Sequence, residues 1–151
     1  MTLKKLLLLS YDDCIIFLKE KHGDVKGNYF IKNNEGKFVH NKKILKFQSD
    51  GLEIHHVLEK EEPGLSNPQK LNLDFHYQEA QNLVYCDLLE HFLLHLKIYD
   101  YYATNEKPEI GIKGAFLINN KIRDLFQNNQ ITTTKQKERI KECEIENGIN
   151  V

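Results

Sequence analysis

Apolar positions along this chain fall in bursts separated by polar, turn-forming stretches, and their spacing changes from one burst to the next. Ser10 offers a capping hydroxyl, Asp12 and Asp13 lie near the positive end of a helix dipole, and CIIFLKEKHG continues as a helix that Gly23 can end. Ile15, Ile16, Phe17 and Leu18 are more apolar side chains than one surface stripe needs, so this helix is expected to be well packed. Strands and turns follow. NYFIK and KFVHN flank NNEG, a hairpin pattern with Gly36 available for positive φ, and Asp50-Gly51 turns into LEIHHVLE. Alternation there puts Leu52, Ile54, His56 and Leu58 on one face and Glu53, His55, Val57 and Glu59 on the other.

The next stretch, EKEEPGLSNPQKLNLDFHYQEA, carries turn signals at Pro63-Gly64 and Asn67-Pro68 and predicts a loop with one short helical turn around Tyr77. A connection this long inside a compact domain is usually functional. Asn82 to Tyr85 then reads as a short strand. Asp87 can cap a long helix, LLEHFLLHLKIYDYYA, with an apolar stripe of Leu89, Phe92, Leu93 and Leu96. Beyond a turn at Lys107-Pro108, GIKGAFLINNKIRDLF predicts a segment that packs onto the core. The polar tail after Gln127 predicts one exposed helix capped by Thr134 and a flexible end.

Length and composition narrow the class. The 151 residues suit one domain with a real core, and 40% hydrophobic with 28% charged is an ordinary globular balance. A net charge of −1 argues against bulk electrostatic coating of nucleic acid, though a local lysine groove can still steer it. Cys14, Cys86 and Cys143 are odd in number and form no CxxC pair, which suggests reduced thiols rather than a disulfide framework or a cysteine zinc ribbon. MTLKKLLLLSYDD does not read as a signal peptide, and no window approaches a membrane span, so a cytoplasmic protein with no membrane partner is expected. There is no phosphate-cradling glycine loop and no sign of an organic cofactor, and no pattern sets an oligomeric state.

The candidate chemistry lies between Leu52 and Ile98. Five of the seven histidines fall there, four of them as the adjacent pair His55-His56 and the helical pair His91 and His95. An H-x3-H pair projects two imidazoles from one helix face and can supply two nitrogen ligands, although two such histidines can also be core residues bonded to backbone. A His-His dipeptide on a facing strand adds a third ligand and a spare base. Three protein ligands are the set found in catalytic rather than structural zinc sites. Asn82 precedes His91 by eight intervening residues.

This HH…N-x8-H-x3-H pattern resembles the HNH, or ββα-metal (His-Me finger), endonucleases, in the variant of colicin-type nuclease toxins. LSYDDCIIFLKEKHG, GNYF and NLVYCDLLEHFLLHLKI also resemble uncharacterised HNH-like proteins of low-GC Gram-positive bacteria and their phages. The first likeness covers about Asp50 to Ile98, with a His56-to-Asn82 gap longer than in the compact toxins, so the intervening loop reads as an insertion. It implies an α+β fold: a ββα-metal core over residues 50–103, an N-terminal helix and strands over 1–49, and additional C-terminal helices over 104–151. It also implies that His55, His91 and His95 bind one divalent metal, that His56 is the general base, and that Asn82 holds the His56 imidazole through its side-chain carbonyl. The expected substrate is DNA, with RNA possible, cut to leave 5′-phosphate ends.

An all-nitrogen ligand set favours zinc or nickel, with magnesium or manganese able to support turnover. Glu59 and Glu90 are possible partners of metal-bound imidazoles, or ordinary solvated carboxylates. Lys37, Lys42, Lys43 and Lys46 are candidates for phosphate contact or for solvating an exposed edge, and His40 and His76 have no evident role. The alternatives are a non-catalytic zinc-stabilised module that binds nucleic acid or protein, and an RNase on the same scaffold.

Overall fold

The computed structural model describes residues 3–127 and 134–146. Over them the chain is mixed α+β, with helices α1 (Leu3–Leu8), α2 (Tyr11–His22), α3 (Phe47–Asp50), α4 (Leu88–Tyr102), α5 (Ile112–Phe126) and α6 (Thr134–Glu146). Strands β1 (Phe30–Lys32) and β2 (Phe38–His40) form one antiparallel pair, and β3 (Glu53–His56) and β4 (Leu83–Cys86) form another. The expected hairpin around NNEG is present, with Gly36 at φ 76°.

Helix α4 is the centre of the molecule. It leaves β4 after a single residue, Asp87, whose carboxylate accepts from Glu90 N while the Glu90 carboxylate accepts from Asp87 N. This capping box satisfies orphan donors at both positions and fixes the angle between strand and helix. Glu90 also binds Lys21 at 2.6 Å and His22 at 2.7 Å, tying the end of α2 to the start of α4. Ser10 caps α2 as its sequence predicts.

Apolar packing covers α4 on two sides. On one, Leu6, Tyr11, Cys14, Ile15 and Leu18 meet Val84, Cys86, Leu93, Leu94 and Ile98. On the other, Leu88 packs with Ile118 of α5 and Ile140 of α6. The helix is therefore buried on more than the predicted stripe, and β4 is buried on both faces. Burying four apolar strand residues fully contributes roughly 1.5–3 kcal/mol for each large side chain.

Several local outcomes differ from the sequence pattern. Ile16 is 58% exposed, because the packed face of α2 runs through Tyr11, Cys14, Ile15 and Leu18. Helix α1 was not signalled by its leucine run; it is held by buried Lys97, whose ammonium donates to the carbonyls of Leu7 and Leu9. Helix α3 replaces part of a predicted strand-and-turn region, with Gly51 ending it at φ 68°. The 57–82 connection contains four 3₁₀ turns, over Val57–Lys60, Pro68–Asn72, Phe75–Gln78 and Ala80–Asn82, the third being the turn predicted around Tyr77. Helix α6 is not simply exposed: Ile140 is 1% exposed and packed against Leu88 and Ile118. The expected flexible end falls at residues 147–151, outside the described residues.

Candidate metal centre

The pairing of β3 with β4 sets which way each histidine faces. His55 stands opposite Val84 and His56 opposite Leu83. Val84 belongs to the α2–α4 core, whereas Leu83 packs with Val25, Ile44, Leu52 and Tyr85 on the other side. The two adjacent histidines therefore lie on opposite faces, as period-2 geometry requires. Glu53 shares the His55 face.

His55, His91 and His95 converge there, with one ring nitrogen of each within 4.8 Å of the others. His55 is 1% exposed and His95 6%, while the His91 side chain keeps 12%. Their tautomers follow from their partners. The Tyr11 hydroxyl donates to the Val57 carbonyl at 2.8 Å, so its oxygen accepts from His55 Nε2–H, also at 2.8 Å. That leaves His55 Nδ1 a bare lone pair, and it has no hydrogen-bond partner among the described residues. His91 Nδ1 donates to Glu53 at 2.7 Å, which turns its Nε2 toward the cluster, 3.2 Å from His95 Nε2.

One bare lone pair and two further ring nitrogens thus point at one buried place. Two nitrogens on a tetrahedral ion with bonds of 2.0–2.1 Å stand about 3.3 Å apart, close to the His91–His95 separation. The donor set fits a divalent transition metal, and Tyr11 and Glu53 are the outer partners that such ligands need for a fixed orientation.

Electrostatics keep these groups ready to bind a cation. Burial, reinforced by His95, His91 and His56, pushes His55 well below the usual histidine range. Burial and the His91 charge lower His95 to about 3. For Glu53, burial opposes ionisation, but the hydrogen bond and charge of His91 and the ammonium of Lys121 outweigh it and hold the carboxyl at about 2. A neutral imidazole at His55 and at His95 is the protonation state that metal ligation requires.

On the other face, His56 is 2% exposed, edge-on to Tyr29, and bonded through Nε2 to Gln78 Oε1 at 2.9 Å. Gln78 Nε2 donates to the Leu65 carbonyl, so its oxygen must face His56, and Nε2 of His56 carries the proton. The basic atom is then Nδ1. Burial lowers His56 to about 4, with the Gln78 bond pulling it partly back.

Here the expected role of Asn82 is corrected. Its amide donates to the His76 carbonyl at 2.7 Å, and the side-chain carbonyl on His56 is that of Gln78. Glu90 is likewise remote, held by Lys21 and His22, whereas Glu59 lies at the cluster. His40 packs on the rings of Tyr29 and Phe30, and His76 is a half-exposed turn residue.

Sequence reasoning did not find Tyr11, Gln78 or Gly114. The last lies on α5, where an added Cβ would meet the His95 ring at 2.2 Å. No local signal marks these three, because each reaches the site from a distant element. Glu53 was signalled by sharing the His55 face. A groove of about 350 Å³ opens beside the cluster, lined by Tyr29, Leu45, Phe47, Ser66, Lys121 and the site's own Glu53 and His91. Comparison with protein-family models, curated proteins and solved structures gives no match to this chain.

Proposed function

We propose that the chain is a metal-dependent endonuclease of the HNH, ββα-metal type that hydrolyses DNA phosphodiester bonds. The observation that carries this reading is the convergence of His55 from β3 with His91 and His95 from α4, in a strand-strand-helix order. A divalent ion bound there supplies Lewis-acid stabilisation of negative charge on a leaving 3′ oxygen. His56 accepts the proton of the attacking water at Nδ1, with Gln78 fixing its tautomer. Tyr29 and Phe47 in the groove offer apolar surface to sugar and base, and Lys121 offers charge to a phosphate. Lys42 and Lys43, exposed in the 3₁₀ turn that carries Ile44, are further candidates for phosphate contact.

One observation favours a second reading, a structural metal that staples β3 to α4. His56 is 2% exposed with Nε2 committed to Gln78, the environment of a core histidine as much as of a base.

The test is nicking of supercoiled plasmid by metal-stripped protein supplied with Mg²⁺, Mn²⁺, Ni²⁺ or Zn²⁺, with an RNA substrate in parallel. Wild type is expected to cut DNA to 5′-phosphate ends, and His56→Ala to retain bound metal but lose cutting by about 10²-fold or more. Metal binding without cleavage of either substrate, together with unfolding on metal removal, would establish the structural reading instead. Cleavage of RNA alone would assign the scaffold to an RNase.

A further inference from the structure

We propose that Glu59 is a fourth protein ligand, so that the ion implied by the histidine cluster is held by three imidazole nitrogens and one carboxylate oxygen. This inference rests on the metal-centre reading and extends it to a residue outside the histidine pattern. Glu59 lies in the 3₁₀ turn Val57–Lys60, immediately after β3 and four residues beyond His55. Had the strand continued, the two residues would stand about 13 Å apart along it. The turn folds the carboxylate back over His55 instead.

Its position has the spacing of a ligand. Glu59 Oε2 is 3.4 Å from His95 Nε2 and 3.8 Å from His55 Nδ1. Donors sharing a four-coordinate ion stand about 3.3 Å apart. The carboxylate oxygen therefore stands near ligand-to-ligand distance from both, as the two helical histidines do from each other at 3.2 Å. A hydrogen bond does not explain the approach to His55, because the proton of that ring is on Nε2, facing Tyr11.

Nor does an ordinary ion pair explain Glu59. Its side chain is 12% exposed, and the ion-pair partners it has among the described residues are these two histidines. Nearby ammonium groups are engaged elsewhere: Lys60 with Asp12 at 2.7 Å and Lys121 with Glu53 at 2.8 Å. A carboxylate oxygen set against a bare imidazole lone pair gains nothing from that approach unless a cation lies between them. The backbone of Gly64 and Leu65, in the loop beyond β3, adds polar contacts to the same carboxylate. Glu59 would then add a carboxylate oxygen to the three imidazole nitrogens that hold the ion.

The discriminating experiment uses full-length protein substituted with Co²⁺, read by visible absorption and by competition with a chromophoric chelator. Wild type is expected to show intense four-coordinate bands that azide and inorganic phosphate leave unchanged. Glu59→Gln, with circular dichroism confirming its fold, is expected to bind Co²⁺ about tenfold or more weakly and to acquire bands that shift with azide. Glu59→Asp is the second arm if the amide variant does not fold, with the same weakening and azide sensitivity expected from its shorter reach. Wild-type bands, azide response and affinity in the folded variants would overturn the Glu59 assignment. If Co²⁺ binding is abolished by His91→Ala yet indifferent to Glu59, only that assignment falls. If wild type binds no Co²⁺, the histidine-cluster reading falls with it.

Discussion

Replacing Gly114 by alanine tests the site from a residue that touches no candidate ligand in sequence. Gly114 lies in α5 over the His95 ring, and a Cβ there would stand 2.2 Å from Cε1, 2.3 Å from Nδ1 and 2.7 Å from Nε2. Ordinary contacts need well over 3 Å, so the ring must retreat by about 1 Å, whereas metal–ligand distances tolerate about 0.2 Å. One of three nitrogens is then withdrawn. Two terms act on the metal-free protein: overpacking costs about 1–3 kcal/mol, and alanine in a helix interior returns about 1 kcal/mol. The net expectation is a loss of about 0–2 kcal/mol.

The metal-linked term is larger in consequence. At a metal concentration of 100 times Kd, binding stabilises the native state by about 2.7 kcal/mol. A tenfold to hundredfold weaker Gly114→Ala site, the range measured for disturbed ligand orientation, would leave about 1.4 to 0.4 kcal/mol. Thermal unfolding with and without Zn²⁺, alongside chelator competition, reads both terms. Asn119→Ala, exposed on the same helix, is the control for propensity alone. A Gly114→Ala protein that binds metal within twofold of wild type and gains about 1 kcal/mol of stability would refute the close approach of α5 to His95.

Tyr11→Phe removes the hydroxyl shared by His55 and the Val57 carbonyl; stability is expected to fall by about 1–3 kcal/mol and metal affinity by about tenfold or more. Denaturant titration and chelator competition measure the two, and unchanged affinity would detach Tyr11 from the site. The metal-free protein is also expected to weaken on acidification. His56 and His95 are held at about 4 and about 3, against about 6.5 in the unfolded chain, so in that window the unfolded state binds more protons and stability rises with pH. Going from pH 7 to pH 5 should cost about 2 kcal/mol per histidine, partly offset by Asp87, which burial and Glu90 raise to about 6. Urea unfolding of chelator-treated protein that is flat between these pH values would contradict the burial of neutral imidazoles.

The parts of this fold that were legible in sequence are those governed by local rules. Period-2 alternation separated His55 from His56, i,i+4 spacing put His91 and His95 on one face, and Ser10, Gly23, Gly36 and Asp87 marked element ends. Each depends on backbone geometry within a few residues. The leucine run of α1 and the polar α6 were misleading because tertiary contacts decide them: Lys97 reaches the α1 carbonyls across nearly ninety residues of chain, and Ile140 is buried by α4 and α5. Asn82 matched a spacing, yet a spacing cannot say which of several amides in a long loop turns toward an imidazole. Gln78 does so because the Leu65 carbonyl orients its amide.

That long loop gives the two adjacent histidines their different fates. Both sit on one strand a single residue apart, with the same intrinsic chemistry. The 57–82 segment then contributes a different partner to each face. Glu59, folded back by the first 3₁₀ turn, approaches the nitrogen that His55 leaves bare, and Gln78, from the third, binds the protonated nitrogen of His56. Tyr11 sets the His55 tautomer through the Val57 carbonyl at the start of the same segment. One imidazole is thereby presented to a cation with Nδ1 bare, while the other is fixed with Nε2 protonated among aromatic neighbours. A connection of this length would be an entropic burden if it merely joined two strands. It is better understood as the element that divides one His-His pair into a ligand and a separately oriented imidazole, so shortening it should disturb both faces together.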